Sequence, residues 1–456
     1  MFCEENVMSR QALSIVFLTF VLLLAFIIGA SARVLLEKNQ MASLNKLAES
    51  APHRKISVVP KDFATIQSAI NAASDGDIVF VEPGIYYESL VLNKSVSLLG
   101  AGYFDTIVDA NRTADVITIS SANAVVAGFT FQNGGFPIPA YCGVKIDNVD
   151  NVTVSDNFIS GNFVGIRLGD LQRGSNGNIV RNNIITKNRY GIFADHTNET
   201  LFYGNVVTEN SWNGIEIAYS GRNTLQANNI SYNMAYGLEI VSNTPSLYNR
   251  IFHNNFVNNK LKVSVSNLPQ IWDDGYPSGG NYWSDYTGVD SDYDGIGDSW
   301  YEIDSDNVDH YPLMGMFSSF NTSYGYAVDF ISNSSISYFN FSLSGPSQAS
   351  LVFNVTGATG IQGFCRVCIP KALINGSYVV RFNGEVITNL TYLQVRELPC
   401  SNETYEYLYV NYTHSGHTIE ISGTTTIPEF SPFHILLLFM VATLPAVIVY
   451  RRKRTI

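Results

Sequence analysis

Residues 290–298 read Asp-Ser-Asp-Tyr-Asp-Gly-Ile-Gly-Asp. Acids at the first, third and fifth places, Gly295 at the sixth, the Ile296 carbonyl at the seventh and Asp298 at the ninth have the oxygen spacing of a calcium loop. Carboxylates this close repel one another unless a cation lies among them. The expected ligands are therefore Asp290, Asp292, Asp294, Ile296 and Asp298, and the expected ion is Ca2+; a solvated acidic turn is the alternative. The twelfth place, where a helix-flanked loop puts a bidentate Glu, holds Tyr301, so the role expected is structural. A second constellation is Glu216 and Glu239, which share one place in successive copies of a Gly-apolar-x-apolar block, with Arg167 at that place two copies earlier. If the copies stack, their backbones lie about 5 Å apart, and retaining glycosidases use carboxyl groups about 5–5.5 Å apart. A catalytic set would be Glu216, Glu239 and Arg167; a mixed-sign ladder keeping one face soluble is the preferred reading. Copper needs clustered His, Met or Cys, whereas the seven His are scattered and Met314-Gly315-Met316 is a single pair.

The elements that hold these residues come from a repeat. An Asn-apolar-apolar-x-x-Asn block starts at Asn157, Asn183, Asn205, Asn228 and Asn254. In step with it run Gly143-Val144-Lys145-Ile146, Gly165-Ile166-Arg167-Leu168, Gly191-Ile192-Phe193-Ala194, Gly214-Ile215-Glu216-Ile217 and Gly237-Leu238-Glu239-Ile240. Lys260-Leu261-Lys262-Val263 is expected to continue the series, placing Lys262 after Glu239. Short alternating runs punctuated by Asn and Gly are strands, and their period is that of a coil in a parallel β-helix. Stacked coils turn equivalent residues into columns: apolar ones inward, Asn amides laddered at corners, Gly permitting the turn before each strand. An amphipathic helix over 62–73 is expected to cover the open end.

The segment from Phe63 to Gly102 followed by the Asn/Gly coils resembles the right-handed parallel β-helix superfamily of carbohydrate-binding proteins and sugar hydrolases. Within it the chain is similar to the NosD-like group, over roughly Ile56 to Met314. That resemblance implies copper binding. The opening is also similar to pectin methylesterases, but their Gly-Thr-Val-Asp-Phe-Ile-Phe-Gly stretch is absent, as are the Asn-Thr-Asp, Asp-Asp and Gly-His-Gly blocks of polygalacturonases. The Asp loop, lacking flanking helices, resembles dockerin and thrombospondin calcium loops.

Past the coils, residues 317–423 carry longer alternating strands and read as a β-sandwich. Cys365 and Cys368, three apart on a strand, face opposite sides, and one of them pairing with Cys400 as a disulfide suits an exported protein; zinc or redox chemistry is the alternative. Residues 1–32 read as a signal peptide or signal anchor, with Ala30-Ser31-Ala32 as a cleavage pattern. Glu4 and Glu5 fit an n-region poorly, and initiation at Met8 would remove them. Residues 33–55 form a linker. The solenoid is expected over 56–316, a Pro-Glu-Phe linker over 424–432, a membrane span over 433–450 and a basic cytoplasmic tail over 451–456. Pro-Glu-Phe, apolar span and basic tail together resemble archaeal surface-sorting tails, which implies processing and anchoring at the outer face. About thirteen Asn-x-Ser/Thr sequons, Asn93, Asn198, Asn340, Asn375 and Asn411 among them, fit an exported glycoprotein. Charged residues at 14% and a net charge of −12 exclude coiled coils and nucleic-acid binders. The expectation is an all-β, membrane-held cell-surface protein, structural or glycan-binding, with a polysaccharide hydrolase or lyase as the alternative and NosD-like copper binding as the second.

Overall fold

The computed structural model describes residues 54–135, 141–170, 173–241, 248–266, 269–345, 348–387 and 394–424. The expected N-terminal signal or anchor, most of the first linker, the Pro-Glu-Phe stretch, the apolar span and the basic tail lie outside the described residues. Among the described residues no helix is long and apolar enough to cross a membrane. The chain divides into two compact units, Met1–Arg189 and Tyr190–Ile456.

The first unit is built of coils, each made of short parallel strands in three sheets. In one sheet Val79, Leu98, Val126, Val154 and Val180 stand in register on successive strands, and all are fully buried. Each such side chain contributes about 1.5–3 kcal/mol by leaving water. The expected helix forms over Ile66–Ala72 and lays Ile66, Ala69 and Ile70 on the first coil. Thr65 caps its start, Glu88 accepts from the Ile66 and Gln67 amides, and Lys94 Nζ donates to the Ala73 carbonyl at its end.

The second unit continues with parallel coils, then antiparallel sheets. Over both units the chain winds about nine coils. Strands Tyr190–Asp195, Ile215–Ala218, Tyr236–Val241 and Leu261–Val265 bear the inward columns Ile192, Ile215, Leu238 and Ala194, Ile217, Ile240, as the repeat predicts. The last copy departs from expectation. Glu239 stands opposite Ser264, while Lys262 pairs with Asp285. The register has slipped by two residues, which leaves side-chain alternation intact and so is invisible to a period-two reading.

The roles expected of Gly and Asn are also distributed differently. Gly214 and Gly237 do not have positive φ. They are required by close approach: a Cβ on Gly214 would lie 2.6 Å from Asn233 Nδ2 and 2.7 Å from the Gly237 carbonyl. The ladder Asn residues are not the left-handed ones either. Left-handed backbone falls one residue earlier, at Asp156, Asn182, Gly204, Ala227 and His253, just before Asn157, Asn183, Asn205, Asn228 and Asn254. That bend turns the following amide inward, where it is fully buried. Asn228 Nδ2 donates to Asn254 Oδ1 (2.9 Å), and Asn254 Nδ2 to Asn281 Oδ1 (3.0 Å).

After the coils come the Asp loop, a hairpin of Tyr301–Asp304 with Asn307–Asp309, and two five-stranded antiparallel sheets. Their inner faces share one core that includes Phe330, Cys365, Val367, Val410, Phe353, Leu351 and Ile421. The outer face of the first sheet packs Phe317, Ile331, Phe364, Tyr407 and Tyr409 with Ile296 of the Asp loop and Leu313. That sheet is therefore buried on both sides.

Candidate functional site

In the second unit the outer face of the sheet formed by Tyr190–Asp195, Ile215–Ala218, Tyr236–Val241 and Leu261–Val265 brings three acids together. Glu216 and Glu239 are direct neighbours on adjacent strands, and Phe193 precedes Glu216 in the same column. Like charges so placed destabilise a sheet unless something lies between them. The amide of Asn213 does. Its Oδ1 accepts from the Tyr236 amide (3.1 Å), which fixes the orientation, and its Nδ2 donates to Glu216 Oε2 (2.9 Å) and Glu239 Oε2 (2.5 Å). The two carboxylate oxygens are thus no more than about 5.4 Å apart. Burial raises the Glu216 pKa; the Asn213 hydrogen bond opposes this, and Glu239 and Asp195 add to the rise. Asp195 is buried at the end of the same face and holds His196 Nδ1 at 2.7 Å, with the imidazole stacked on Tyr219. Nothing in the repeat pattern marked Asn213 or the Asp195–His196 pair; both lie at strand ends, just outside the blocks.

Arg167 belongs to the first unit, where it stands opposite Lys145 in the expected register.

The Asp loop gathers three of its four expected carboxylates. Carboxylate oxygens of Asp290, Asp292 and Asp294 lie within 4.8 Å of one another. Asp290 accepts from the Asp294 and Gly295 amides, and Asp294 from the Ile296 amide. Asp298 instead accepts from the Ser291 amide (2.9 Å) and is not in the cluster. Ile296 is buried and bridges to Leu313. Burial, reinforced by Asp294, pushes Asp290 up to about 6 even though two amides donate to it. An all-carboxylate set is hard-oxygen chemistry that fits calcium or magnesium and not copper. Among the described residues this is the one group of three or more His, Cys, Asp or Glu side chains able to share an ion.

Cys365 and Cys368 face opposite sides as expected: Cys365 lies in the inner core, and Cys368 packs in the outer cluster that also contains Cys400. All three are free thiols, and burial pushes Cys368 up to about 12. Of the sequons, Asn93, Asn340 and Asn375 are exposed. Asn198 accepts from the Gly221 amide, and Asn411 Oδ1 is buried without a partner.

The profile of the family described as "Periplasmic copper-binding protein (NosD)" matches residues 70–288. The solenoid is a NosD-type β-helix. Over 201 residues the chain is 28% identical to a cell surface glycoprotein of Methanothermus fervidus, covering 43% of this chain and 30% of that protein. It is 40% identical over 89 residues to a probable ABC transporter binding protein NosD of Pseudomonas aeruginosa, 19% of either chain. The NosD-type chain thus spans under a third of the length of these curated relatives. Among solved structures, the Agl-KA catalytic domain matches with a TM-score of 0.37 at 19% identity, covering 49% of this chain and 42% of that one. The A-module of Azotobacter vinelandii mannuronan C-5 epimerase AlgE6 matches at 0.27 and 16%, covering 45% and 94%. Neither likeness bears on activity.

Proposed function

We propose that this NosD-type solenoid is an extracytoplasmic, surface-held protein that binds glycans on the acidic face carrying Glu216 and Glu239. The observation behind the binding reading is the amide bridge: Asn213 holds two carboxylates side by side on an outward face beside Phe193. Adjacent acids with fixed orientation accept from vicinal sugar hydroxyls, and an aromatic ring beside them offers a stacking surface for a pyranose. The surface location is supported by the cell surface glycoprotein and periplasmic descriptions of the matching proteins and by the apolar span and basic tail of the sequence. Calcium in the Asp loop would stiffen the end of the solenoid. The family description names copper, but the donors gathered here are oxygens.

A second reading, a retaining glycoside hydrolase, draws on the raised proton affinity of Glu216. Glu216 would act as the acid and Glu239 as the nucleophile, their bridged oxygens being no farther apart than the carboxyl groups of such enzymes. One experiment separates the readings: the full chain is screened against a glycan array, with reducing-end release measured on every hit. Binding without release, weakened in Glu216→Gln, supports the glycan-binding reading. Release that vanishes in Glu216→Gln supports the hydrolase. Absence of both refutes a role in glycan chemistry.

A further inference from the structure

Where the outer face of the first antiparallel sheet meets the last coils, an otherwise apolar seam contains a polar cavity of about 30 Å³. His253, Ser278, Asp329, Arg366 and Tyr407 line it. Arg366 is 2% exposed, its Nη2 donates to the Pro277 carbonyl at 2.5 Å, and its guanidinium lies over the Tyr407 ring. Its Nη1 is buried and makes no hydrogen bond. His253, also in the lining, is 6% exposed and stacks flat on Phe317, centroids 4.2 Å apart.

The tautomer of His253 follows from its neighbours. Nε2 lies 3.0 Å from the Ser278 carbonyl, which can only accept, and the Ser278 hydroxyl donates to Asp274 at 2.9 Å. The proton is therefore on Nε2, and Nδ1 is a bare lone pair, also buried without a partner. Two residues that line the cavity thus carry an unmet donor, Arg366 Nη1, and an unmet acceptor, His253 Nδ1. An anion would satisfy Arg366 and be repelled by Nδ1; a metal cation would satisfy Nδ1 and be repelled by the guanidinium. A group that accepts and donates at once satisfies both, and a water needs about 10–15 Å³ of such space.

We propose that this cavity is a built hydration site: one water accepts from Arg366 Nη1 and donates to His253 Nδ1, a second reaches Asp329, and the pair fastens the antiparallel sheets to the end of the solenoid. The test is a crystal structure of the full chain at about 2 Å, grown in bromide. Expected is a water peak about 2.7–3.2 Å from both nitrogens. A dry cavity, or an anomalous bromide or metal peak in it, overturns the proposal. Melting curves of Arg366→Met, His253→Phe and the double variant give a second arm. The double variant is expected to lose clearly less melting temperature than the two singles combined, because one water serves both partners; additive losses would also overturn the bridge.

Discussion

Asp309 should be the most consequential single side chain at the end of the solenoid. It is fully buried on the hairpin. Its Oδ2 accepts from the Asn281 amide (2.7 Å), Trp283 Nε1 (2.9 Å) and Asn281 Nδ2 (3.3 Å), and its Oδ1 from the Tyr311 amide (3.1 Å). Asn281 Nδ2 also donates to the Ile251 and Trp272 carbonyls, so Asp309→Ala orphans the other three donors. At about 1–3 kcal/mol for each buried unmet group, bounded by what single substitutions reach, the loss should be about 3–5 kcal/mol. Asp309→Asn keeps one oxygen and turns an NH2 toward one of the donors, so it should cost about 1–3 kcal/mol. A pH signature accompanies this. Burial raises Asp309 to about 7 against the donors that favour its charge. With the folded pKa above the unfolded one, its stabilising contribution is complete below about pH 4 and is lost as the pH rises through 7, by roughly 4 kcal/mol. Urea unfolding of the full chain, followed by Trp fluorescence at several pH values, reads all of this, because Trp283 stacks on Phe256 and Tyr301 beside the carboxylate. An Asp309→Ala loss under about 1 kcal/mol, or the same acid-to-neutral slope in Asp309→Asn as in the wild type, would refute the reasoning.

His253 should give the opposite pH dependence. Burial lowers it to about 4, opposed by the Ser278 carbonyl and Asp274 and reinforced by Arg366. Its contribution is present above pH 6.5 and lost as the pH falls toward 4, by roughly 3 kcal/mol, and His253→Phe should remove that part of the acid slope in the same unfolding assay. For the Asp loop, millimolar Ca2+ should raise the melting temperature, chelator should reverse the rise, and Asp292→Asn should abolish it; at a hundredfold excess over Kd the gain is about 2.7 kcal/mol. A melting curve indifferent to Ca2+ and Mg2+ would leave the loop a solvated acidic turn.

The coils were legible because the repeat carries two signals at once: alternation gives the strands, and the Asn spacing gives the stack. Glu216 and Glu239 could be placed as neighbours for that reason. Lys262 could not, since a two-residue slip preserves alternation. Asp309 was missed for a different reason. The Asn-apolar-apolar-x-x-Asn block stops at Asn254, whereas the column it starts runs on through Asn281 to an aspartate, outside any copy of the block. Asn213 escaped because its work is done by an amide at a corner, where the blocks carry no pattern. His253 and Arg366 meet only through the docking of an antiparallel strand on a solenoid coil, and neither periodicity contains that contact.

The ladders also explain why the solenoid ends on acids. Each amide donates toward a later coil: Asn205 to Asn228, Asn228 to Asn254, Asn254 to Asn281. The same direction holds for Asn223 to Asn249 and Asn249 to Gln270. Aligned amide dipoles add and polarise one another, so the far end of each ladder presents donors and favours negative charge, as the N-terminus of a helix does. Both of these ladders meet a carboxylate there. Asn281 reaches Asp309 directly, and the Gln270 backbone N–H donates to Oδ1 of Asn307, whose Nδ2 donates to Asp304. Asp304 and Asp309 sit on one hairpin, so that short element terminates two polarised columns, and the apolar sheet packs beyond it. Replacing the hairpin with an apolar cap of the same shape would cover the core yet leave both ladders without acceptors.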